Sequence, residues 1–354
     1  MIEGRLIFQG VNITINTTEQ CNLRCKYCYE VNKKERHIEF QTIKKFINWY
    51  INDKEPVGNI DEERKRLLDG LVIDFIGGDS LANSEIIDKT LTYLQFSLNY
   101  NNHMAKKHWR SSISTNGTYF CNKKVRKIIK KWKNVLSLGV SIDGCPELHD
   151  LNRVFPNGSG SMKSIIEWWP YIQKEFPETA VSTKSTLSKN SIPYLYESLV
   201  FMYEVLNITY INQNFIMEEN GCNDNDYKLF DQQMEKCCQY ILEHKNEIYW
   251  SMLDYQSVAL THGNDDKNFK TLGKCGSGMM PALSIEGDIY PCFRWLPISQ
   301  KDNNEKVMCL GNINDNNGLN KNIFEIVRTG GIRCNCTKEK KCLTCDVESS
   351  CPYC

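Results

Sequence analysis

The sequence predicts an α/β fold in which helices cover a parallel sheet that curls into a full or partial barrel. Between Val11 and about residue 216, short β-rich runs alternate with longer segments of helical periodicity. Repeated strand–helix alternation favours parallel strands joined by right-handed crossovers. No apolar run is long enough to span a membrane, and the N-terminus lacks a basic stretch followed by an apolar one.

Six predicted strands follow one another along the chain: VNITIN, LVIDFIG, RSSISTNG, VLSLGVSID, TAVSTKSTLS and ITYINQNFI. The helix-like segments include FQTIKKFINWYI, with Ile43, Phe46 and Ile47 on one face, SEIIDKTLTYLQFSLNY and SIPYLYESLVFMYEVL. The charged segment NDKEPVGNIDEERKRLLDG is interpreted as a solvated insertion without a function. In such a fold, functional residues lie on loops at the carboxyl ends of the strands.

The amino-acid composition is informative in its charge balance and in its number of cysteines. Lys and Arg together number 43, as do Asp and Glu, so the net charge is zero. This balance gives no reason to expect nucleic acid or an anionic membrane as a partner. The chain has 17 cysteines, an odd number, and without an export signal we expect a cytoplasmic protein whose clustered thiols bind metal. Five scattered cysteines are predicted to be small buried residues: Cys121, Cys145, Cys222, Cys237 and Cys238.

The stretch CNLRCKYCYE begins at Cys21, directly after the first predicted strand. A closed zinc site uses four ligands and a disulfide framework uses pairs, so three thiols fit neither. Three thiolates on one loop can instead hold three irons of a cubane cluster and leave the fourth iron open to a small molecule. A zinc site completed from elsewhere in the chain is the alternative.

This motif, with Tyr27 directly before its last cysteine, resembles the signature of the radical S-adenosylmethionine (SAM) superfamily. The resemblance implies a partial (β/α)6 radical SAM barrel. It implies that Cys21, Cys25 and Cys28 are catalytic and hold a [4Fe–4S] cluster, and it places Tyr27 beside the cofactor. In that family the open iron chelates the amino and carboxylate groups of SAM, and an electron from the cluster cleaves SAM to a 5′-deoxyadenosyl radical.

The second predicted strand ends in FIGGDS, where two glycines allow close backbone approach and the carboxylate can pair with an ammonium. The resembled family carries Gly-Gly-Glu here, and its glutamate meets the amino group of SAM. The resemblance therefore implies that Gly77, Gly78 and Asp79 bind SAM. Asp79 is one methylene shorter, and Ser80 replaces the usual proline, so a longer or water-mediated contact is expected. A plain turn is the alternative for the glycine pair by itself.

Two further polar loops, STNGT and SIDGCPELHDLNR, follow apolar strands. Hydroxyls and carboxylates can hold a ribose, and a guanidinium can hold a carboxylate. Both loops resemble those of radical SAM enzymes that mature proteins or peptides. The resemblance makes Ser114, Ser141 and Arg153 candidate SAM contacts and Asp143 a weaker one. The alternatives are a plain turn at Asp143 and a surface or supporting histidine at His149.

The C-terminal third contains CGSGMMPALSIEGDIYPC and CLTCDVESSCPYC. Together they resemble the SPASM domain, a cysteine-rich extension of radical SAM enzymes that binds one or two auxiliary [4Fe–4S] clusters. A zinc ribbon is the alternative for the repeated pairs of cysteines. The ligands implied by the resemblance are Cys275, Cys292 and Cys354 for the first cluster and Cys342, Cys345 and Cys351 for the second.

The last cysteine spacing is two residues where the usual pattern has three, and a further ligand would normally follow Cys354. Either Cys309, Cys334 or Cys336 completes the second cluster, or the sequence is truncated, which we favour. The predicted domains are a barrel with a linker helix over 1–262 and a SPASM domain over 263–354, and the favoured truncation falls at the C-terminus of the second domain.

Two radical activities and one non-catalytic role are considered. The first is a peptide maturase that cross-links a ribosomally made precursor, through a cysteine thioether in preference to a carbon–carbon link. The second is an anaerobic sulfatase maturase that forms formylglycine. In those maturases an aspartate, taken to accept the substrate proton, follows the cysteine that corresponds to Cys292. Here that residue is Phe293, which cannot act as a base. An electron-transfer or sensor protein would not need the SAM pocket.

The predicted partners are a precursor peptide and a flavodoxin- or ferredoxin-type reductant. Because the cluster loop begins at residue 21, we expect no separate leader-binding domain before the barrel. The barrel mouth, the C-terminal domain or a partner protein would then capture the precursor.

Overall fold

The structure is a computed structural model, and it describes residues 11–52, 70–177, 180–216, 221–244, 247–253, 280–299 and 308–315. Most of the predicted charged insertion lies outside these residues. So do the predicted cluster ligands Cys275, Cys342, Cys345, Cys351 and Cys354, together with Cys334 and Cys336.

Strands and helices alternate through the first two thirds of the chain. The strands are β1 (Val11–Thr18), β2 (Leu71–Gly77), β3 (Trp109–Thr115), β4 (Leu136–Val140), β5 (Val181–Thr183), β6 (Ser185–Leu187), β7 (Tyr210–Ile211), β8 (Gln213–Phe215), β9 (Tyr249–Trp250), β10 (Ala282–Leu283), β11 (Asp288–Tyr290) and β12 (Gly311–Asn312). The helices are α1 (Phe40–Asn52), α2 (Ser84–Tyr100), α3 (Lys123–Trp132), α4 (Pro146–Asn152), α5 (Met162–Ile166), α6 (Trp169–Glu175), α7 (Leu195–Val200) and α8 (Asp224–Glu243).

The main sheet has the strand order β12-β11-β10-β1-β2-β3-β4-β5, in which β1 to β5 are parallel neighbours. The parallel pairs β6–β8 and β7–β9 form two further short sheets. The predicted α/β class with a parallel sheet is therefore confirmed. The predicted fifth strand is divided at Lys184, because β5 pairs with β4 whereas β6 pairs with β8.

One face of the main sheet is apolar and lies against the helices. Ile73 and Phe75 of β2 belong to the same buried core as Ile43, Phe46 and Ile47 of α1. The predicted apolar stripe of α1 is therefore buried as expected. At about 0.8 kcal/mol for each buried CH₂ group, this packing is the main source of stability for the sheet and its helices.

The opposite face of the sheet is more polar, since strand residues alternate between the two faces. On this face Thr14 and Asn16 of β1 are buried, whereas most of the residues on β2 to β5 are half-buried. We call it the polar face, and its residues include Thr14, Asn16, Asp74, Ser112, Ser114, Ser137, Gly139, Ser141, Ser182 and Lys184. The register aligns Asp74 with Ser112, and Ser114 with Gly139. Within the described part of the chain the helices pack on the apolar face, so the polar face is a candidate surface for ligands.

The C-terminal segments that the structure describes extend the same sheet. β10 pairs in parallel with β1, and β11 and β12 continue from it in antiparallel fashion. A small apolar cluster at this end contains Tyr290, Leu296 and Ile298. The SPASM domain and the boundary near residue 262 stay predictions, because residues 254–279 lie outside the described part of the chain.

Some local predictions need correction. The predicted helix SIPYLYESLVFMYEVL is divided into a 3-10 turn (Lys189–Tyr194), α7 and a π-helical turn (Phe201–Val205). Of the scattered cysteines, Cys121 and Cys222 are exposed and Cys238 is half-buried, so the expectation of burial is wrong for these three, while it holds for the other two. None of the helices within the described residues has the length and apolar character that crossing a membrane requires.

Candidate active site

The loop after β1 carries Cys21, Cys25 and Cys28, and all three are half-buried thiols outside any disulfide. Leu23, fully buried, anchors the loop. The Cys28 amide donates to the carbonyl of Cys25 (3.2 Å), which closes a tight turn between the second and third thiols. The loop is therefore an ordered element that presents three sulfur ligands from one strand end.

Backbone hydrogen bonds attach this loop to the segment that ends α4. The amide of Arg24 donates to the carbonyl of Val154 (2.7 Å), and that of Lys26 donates to the carbonyl of Asn152 (3.0 Å). The cysteine loop and the predicted SAM-contact loop of β4 are thus adjacent, as expected for carboxyl ends of strands in one parallel sheet.

Gly77 and Gly78 bring the end of β2 against the start of the cysteine loop. The Gly78 amide donates to the carbonyl of Thr18 (2.9 Å), and the next amide, of Asp79, donates to the carbonyl of Gln20 (2.8 Å). A Cβ atom on Gly77 would lie 2.1 Å from the Thr18 oxygen, and one on Gly78 would lie 2.4 Å from the Gln20 oxygen. Gly77 also has φ +139°, which favours glycine. The glycine pair therefore holds the cysteine loop in place.

Asp79 lies in the same loop, fully buried, with hydrogen bonds to both of its oxygens. Oδ1 accepts from the amide of Leu81 (2.9 Å), and Oδ2 accepts from the amide of Asn116 (2.6 Å). The Thr115 hydroxyl donates to both oxygens (3.1 and 3.0 Å). Burial raises the pKa of Asp79 to about 6, while these hydrogen bonds oppose the shift. Asp79 ties the end of β2 to the end of β3, and its contact with SAM stays a prediction.

Asparagines connect the cysteine loop to the end of β3. Asn22 Nδ2 donates to the Thr118 hydroxyl (2.8 Å), and Asn116 Nδ2 donates to Asn22 Oδ1 (2.9 Å) and to Cys21 Sγ (3.8 Å). These two asparagines were not singled out from the sequence. The Asn116 side-chain amide therefore restricts the orientation of the Cys21 thiol.

Tyr27, Asp143 and Arg153 form a buried polar group beside the second cysteine. Tyr27 donates its phenol hydrogen to Asp143 Oδ2, and Arg153 Nε donates to Asp143 Oδ1 (3.0 Å). The guanidinium of Arg153 also lies over the Tyr27 ring, 5.3 Å from its centre. Burial opposes ionisation of Arg153, but Asp143 outweighs it and raises the pKa of the guanidinium, which stays charged. The structure thus brings three predicted site residues together.

His149 supports the group of Tyr27, Asp143 and Arg153 through hydrogen bonds. Its Nδ1 accepts from the Asp143 amide (3.4 Å), its Nε2 contacts the Ser161 hydroxyl (2.9 Å), and that hydroxyl donates to the Arg153 carbonyl (2.9 Å). Burial lowers the pKa of His149 to about 3, so the ring is neutral and carries its hydrogen on Nε2. His149 therefore positions Asp143 and Arg153, which matches the supporting role considered above.

Ser114 and Ser141 lie on the polar face, close to its carboxyl edge. The Ser141 amide donates to the carbonyl of Thr115 (2.8 Å), which continues the ladder between β3 and β4. The Ser114 hydroxyl accepts a hydrogen bond from Lys184 Nζ (2.6 Å). Their contacts with SAM stay predictions.

The donor set of the cysteine loop fits an iron–sulfur cluster. Burial raises the pKa of Cys21 to about 12, so binding of a metal must displace a proton from this thiol. Lys33 lies close to the thiols. Burial lowers its pKa, but the sulfurs of Cys21 and Cys28 outweigh that effect and raise it, so its positive charge faces the sulfur ligands. Three thiols and a facing cation suit an anionic cluster with one open iron.

Glu30 is a buried carboxyl that the sequence analysis did not single out. It lies two residues after Cys28, and burial raises its pKa to about 8. The available sequence signal was its position two residues after the last cysteine of the motif.

At the C-terminal end of the sheet, Cys292 is buried and caps a short 3-10 helix that begins at Phe293. The Phe293 ring packs against the Tyr29 ring, with 6.2 Å between the ring centres. The guanidinium of Arg294 lies 4.7 Å from the centre of the Tyr29 ring. Asn32 Nδ2 donates to the carbonyl of Pro297 (2.9 Å). The cysteine loop and the C-terminal segment are thus in direct contact.

Comparison with known proteins identifies the class to which this site belongs. Residues 15–183 match the profile of the Radical SAM superfamily, a span that runs from β1 to β5 and contains the cysteine loop and the predicted SAM-contact loops. This span is a radical SAM domain. Its class implies a [4Fe–4S] cluster and SAM as cofactors, which the three thiols of the cysteine loop fit.

Three curated proteins are similar along most of the chain. An uncharacterised protein of Methanocaldococcus jannaschii is 27% identical over 87% of this chain and 90% of its own length. The radical SAM cyclopropyl synthase TigE of Paramaledivibacter caminithermalis is 24% identical over 79% of this chain and 57% of its own length. A cysteine-type anaerobic sulfatase-maturating enzyme of Clostridium novyi is 25% identical over 78% of this chain and 71% of its own length.

Solved structures share the fold. Native anSMEcpe with bound AdoMet and Kp18Cys peptide superposes with a TM-score of 0.70 at 17% identity, over 96% of this chain and 88% of that one. SuiB of Streptococcus suis bound to its precursor peptide SuiA gives a TM-score of 0.62 at 16% identity, over 98% of this chain and 72% of that one. At these identities the likeness extends to the fold alone.

Proposed function

We propose that this radical SAM enzyme matures a ribosomally made peptide by installing an intramolecular cross-link, most simply a cysteine thioether. Relatives and structural neighbours that act on peptides or on sulfatases support a polypeptide substrate. The observation that carries the choice between them is Phe293, which occupies the position after Cys292 and packs against Tyr29 beside the cysteine loop. An aromatic ring there cannot accept a proton, so this position does not supply the base that formylglycine formation requires.

The proposed cofactor arrangement follows from the sequence motifs. Cys21, Cys25 and Cys28 would hold the radical SAM cluster, and Arg153 would face the SAM carboxylate from its place beside Cys25. When bound, the cluster and SAM supply the radical that takes a hydrogen atom from a substrate carbon. The chain holds Arg153 ready, since Asp143 fixes its Nε and Tyr27 lies against its guanidinium. These contacts restrict the Arg153 side chain, and a side chain that is already restricted loses less entropy when it binds a ligand.

The auxiliary clusters are part of the same proposal. Cys275, Cys292 and Cys354 would hold the first, and Cys342, Cys345 and Cys351 the second, with Cys309 a further candidate. Contact between Tyr29 and Phe293 supports a short path between the cysteine loop and the segment of Cys292. A flavodoxin- or ferredoxin-type protein would reduce the radical SAM cluster.

The proposed cross-linking reaction balances in atoms and electrons. The attacked carbon loses a hydrogen atom, the substrate thiol loses its proton, and one electron passes to an acceptor, for which an auxiliary cluster is suited. One S–C bond forms for two hydrogens lost. The product is therefore lighter than the precursor by one H2 for each cross-link.

The proposal is tested by co-expressing the enzyme with the small open reading frames that neighbour its gene, followed by mass spectrometry of the peptides. We expect loss of one H2 per cross-link together with fewer thiols that react with an alkylating agent. Loss of H2 with every thiol still reactive would replace the thioether with a carbon–carbon link.

The second candidate function is formylglycine formation, which the similarity to the Clostridium novyi enzyme favours. It is tested by incubating the reconstituted enzyme with SAM, a reductant and a sulfatase-derived peptide that contains the target cysteine. Formation of an aldehyde from that cysteine would establish this function and reject the peptide cross-linking proposal. In that case a carboxylate other than residue 293 would have to act as the base.

A further inference from the structure

Lys184 is a cation on the polar face to which neither the motifs nor the comparisons give a role. It stands between β5 and β6, where its amide donates to the carbonyl of Val140 (2.8 Å). Its side chain lies over Gly139 of β4 and extends to Ser114 of β3, where Nζ is 2.6 Å from the Ser114 hydroxyl. The ammonium therefore lies above the middle of the sheet, across the width of β4.

Gly139 makes room for this arrangement. A Cβ atom on residue 139 would lie 2.8 Å from Lys184 Cε and 3.1 Å from its Cδ. Any other residue at this position would displace the lysine stem. Gly139 thus leaves space for the aliphatic part of Lys184, and the Ser114 hydroxyl accepts a hydrogen bond from its ammonium.

The charge of Lys184 has no ion-pair partner among the residues that the structure describes. Asp74 is the acidic group that acts on it, but the Asp74 carboxylate accepts its hydrogen bond from Ser112 instead. Lys184 is exposed to solvent, yet protein surrounds it closely enough that burial lowers its pKa, against the opposing effect of Asp74. An ammonium has three hydrogens to donate, and Ser114 accepts one of them.

We propose that Lys184 binds a carboxylate of the substrate inside the polar face, on the side chain of a Glu or Asp residue of the peptide. This inference rests on the proposed function for its substrate class. One ammonium beside one hydroxyl suits a singly charged carboxylate, and nearby Asp74 disfavours a doubly charged phosphate.

SAM also has a carboxylate, but Arg153 is the better placed cation for it. Burial raises the pKa of Cys25, and the charge of Arg153 opposes this shift, so the guanidinium lies close to the sulfur ligands where SAM would chelate iron. The charge of Lys184 interacts with Asp74. Arg153 Nη2 donates to the backbone carbonyl of Lys184 (3.4 Å), whereas the Lys184 ammonium extends across β4 to Ser114. The two charges therefore face different groups, the first for the cofactor carboxylate and the second for the substrate carboxylate.

The test uses the reconstituted enzyme with saturating SAM and two small probes, acetyl-Glu-amide and acetyl-Gln-amide, which differ only in the carboxylate. Wild-type enzyme should bind the Glu probe on the order of tenfold more tightly than the Gln probe, as measured by isothermal titration calorimetry. Lys184→Met should lose this preference and keep its SAM affinity. Gly139→Ala, which displaces the stem but keeps the charge, should weaken the preference even if Lys184→Met fails to fold. Lys127→Met, which removes an exposed lysine of α3, should behave as wild type.

Each other outcome has a definite meaning. Equal binding of the two probes by the wild type, or a preference that survives in Lys184→Met, would overturn the inference. A tenfold loss of SAM affinity in Lys184→Met with an unchanged probe preference would assign the carboxylate to SAM and overturn the substrate assignment. If co-expression gives no modified peptide while the Glu preference depends on Lys184, the proposed function fails and the carboxylate site stands.

Discussion

At the scale of single residues, Asp79 shows how a predicted ligand contact can also be a structural one. The family resemblance predicts that its carboxylate meets the SAM ammonium, and the structure gives it hydrogen bonds from Leu81, Thr115 and Asn116. These bonds connect the ends of two strands within a fully buried site. A side chain with this many internal partners contributes to stability whether or not it touches SAM.

Asp79→Ala should therefore destabilise the fold. Each buried donor left without a partner costs about 1–3 kcal/mol, so we expect the free energy of unfolding to fall by about 3 kcal/mol or more. Urea unfolding measures this change, and Asp231→Ala, at an exposed position of α8, is the control. SAM affinity is measured in parallel. Unchanged stability together with a tenfold loss of SAM affinity would show that Asp79 serves SAM alone.

His149 predicts how stability depends on pH. Its pKa is about 3 in the fold and about 6.5 in an unfolded chain, so only the unfolded state takes up a proton between these values. The stability contributed by the neutral ring is present above about pH 6.5 and is lost as the pH falls towards 3.

Between about pH 7.5 and pH 5, this histidine should lower the free energy of unfolding by about 2 kcal/mol. His149→Gln should lack this part of the pH dependence, whereas His108→Gln, at an exposed position, should keep it. Urea midpoints at the two pH values give the comparison. An identical pH dependence in wild type and His149→Gln would contradict the buried neutral ring.

At the scale of elements, the end of β2 and the cysteine loop form one unit. The Gly78 and Asp79 amides bind the carbonyls of Thr18 and Gln20, and no space remains for a side chain on either glycine. The three thiols therefore depend for their placement on a strand that is distant from them in the sequence.

Gly78→Ala should disturb this unit without unfolding the sheet. Its Cβ would meet the Gln20 oxygen at 2.4 Å, so the backbone before Cys21 must move. We expect SAM affinity to fall by on the order of tenfold while the far-ultraviolet circular dichroism stays that of wild type. Gly221→Ala, where a Cβ meets nothing within 4 Å, is the matched control. Equal SAM affinity in both variants would rule out this role for Gly78.

At the scale of the whole molecule, the cysteine loop contacts both halves of the described chain. Arg24 and Lys26 bind the α4 segment, while Tyr29 and Asn32 bind the C-terminal segment through Phe293 and Pro297. A loop held from two sides can bring a radical SAM cluster and an auxiliary cluster near one substrate. The iron of the two regions should nevertheless bind independently, since the ligand sets do not overlap.

Replacement of Cys21, Cys25 and Cys28 together by Ala should abolish formation of 5′-deoxyadenosine and leave part of the bound iron. Iron analysis after anaerobic reconstitution and chromatography of the SAM products measure the two effects. Cys121→Ala, at an exposed position, should change neither. Formation of 5′-deoxyadenosine by the triple variant would refute the assignment of the cluster loop.

The sequence by itself determined the features that depend on neighbouring residues. The helical periodicity predicted α1 and α2, and the β-rich run LVIDFIG became β2. The spacing of the three cysteines predicts a cluster site. Each of these signals is contained within a short window, where backbone periodicity and chelate geometry are local properties.

Only the tertiary structure decided which distant groups meet. It divided the fifth predicted strand at Lys184, carried the lysine over Gly139 to Ser114, and enclosed Asp79 between strand ends. It also placed β10 beside β1, although most of the chain separates them in the sequence. These outcomes depend on the pairing and register of whole strands, which no local pattern of residues encodes.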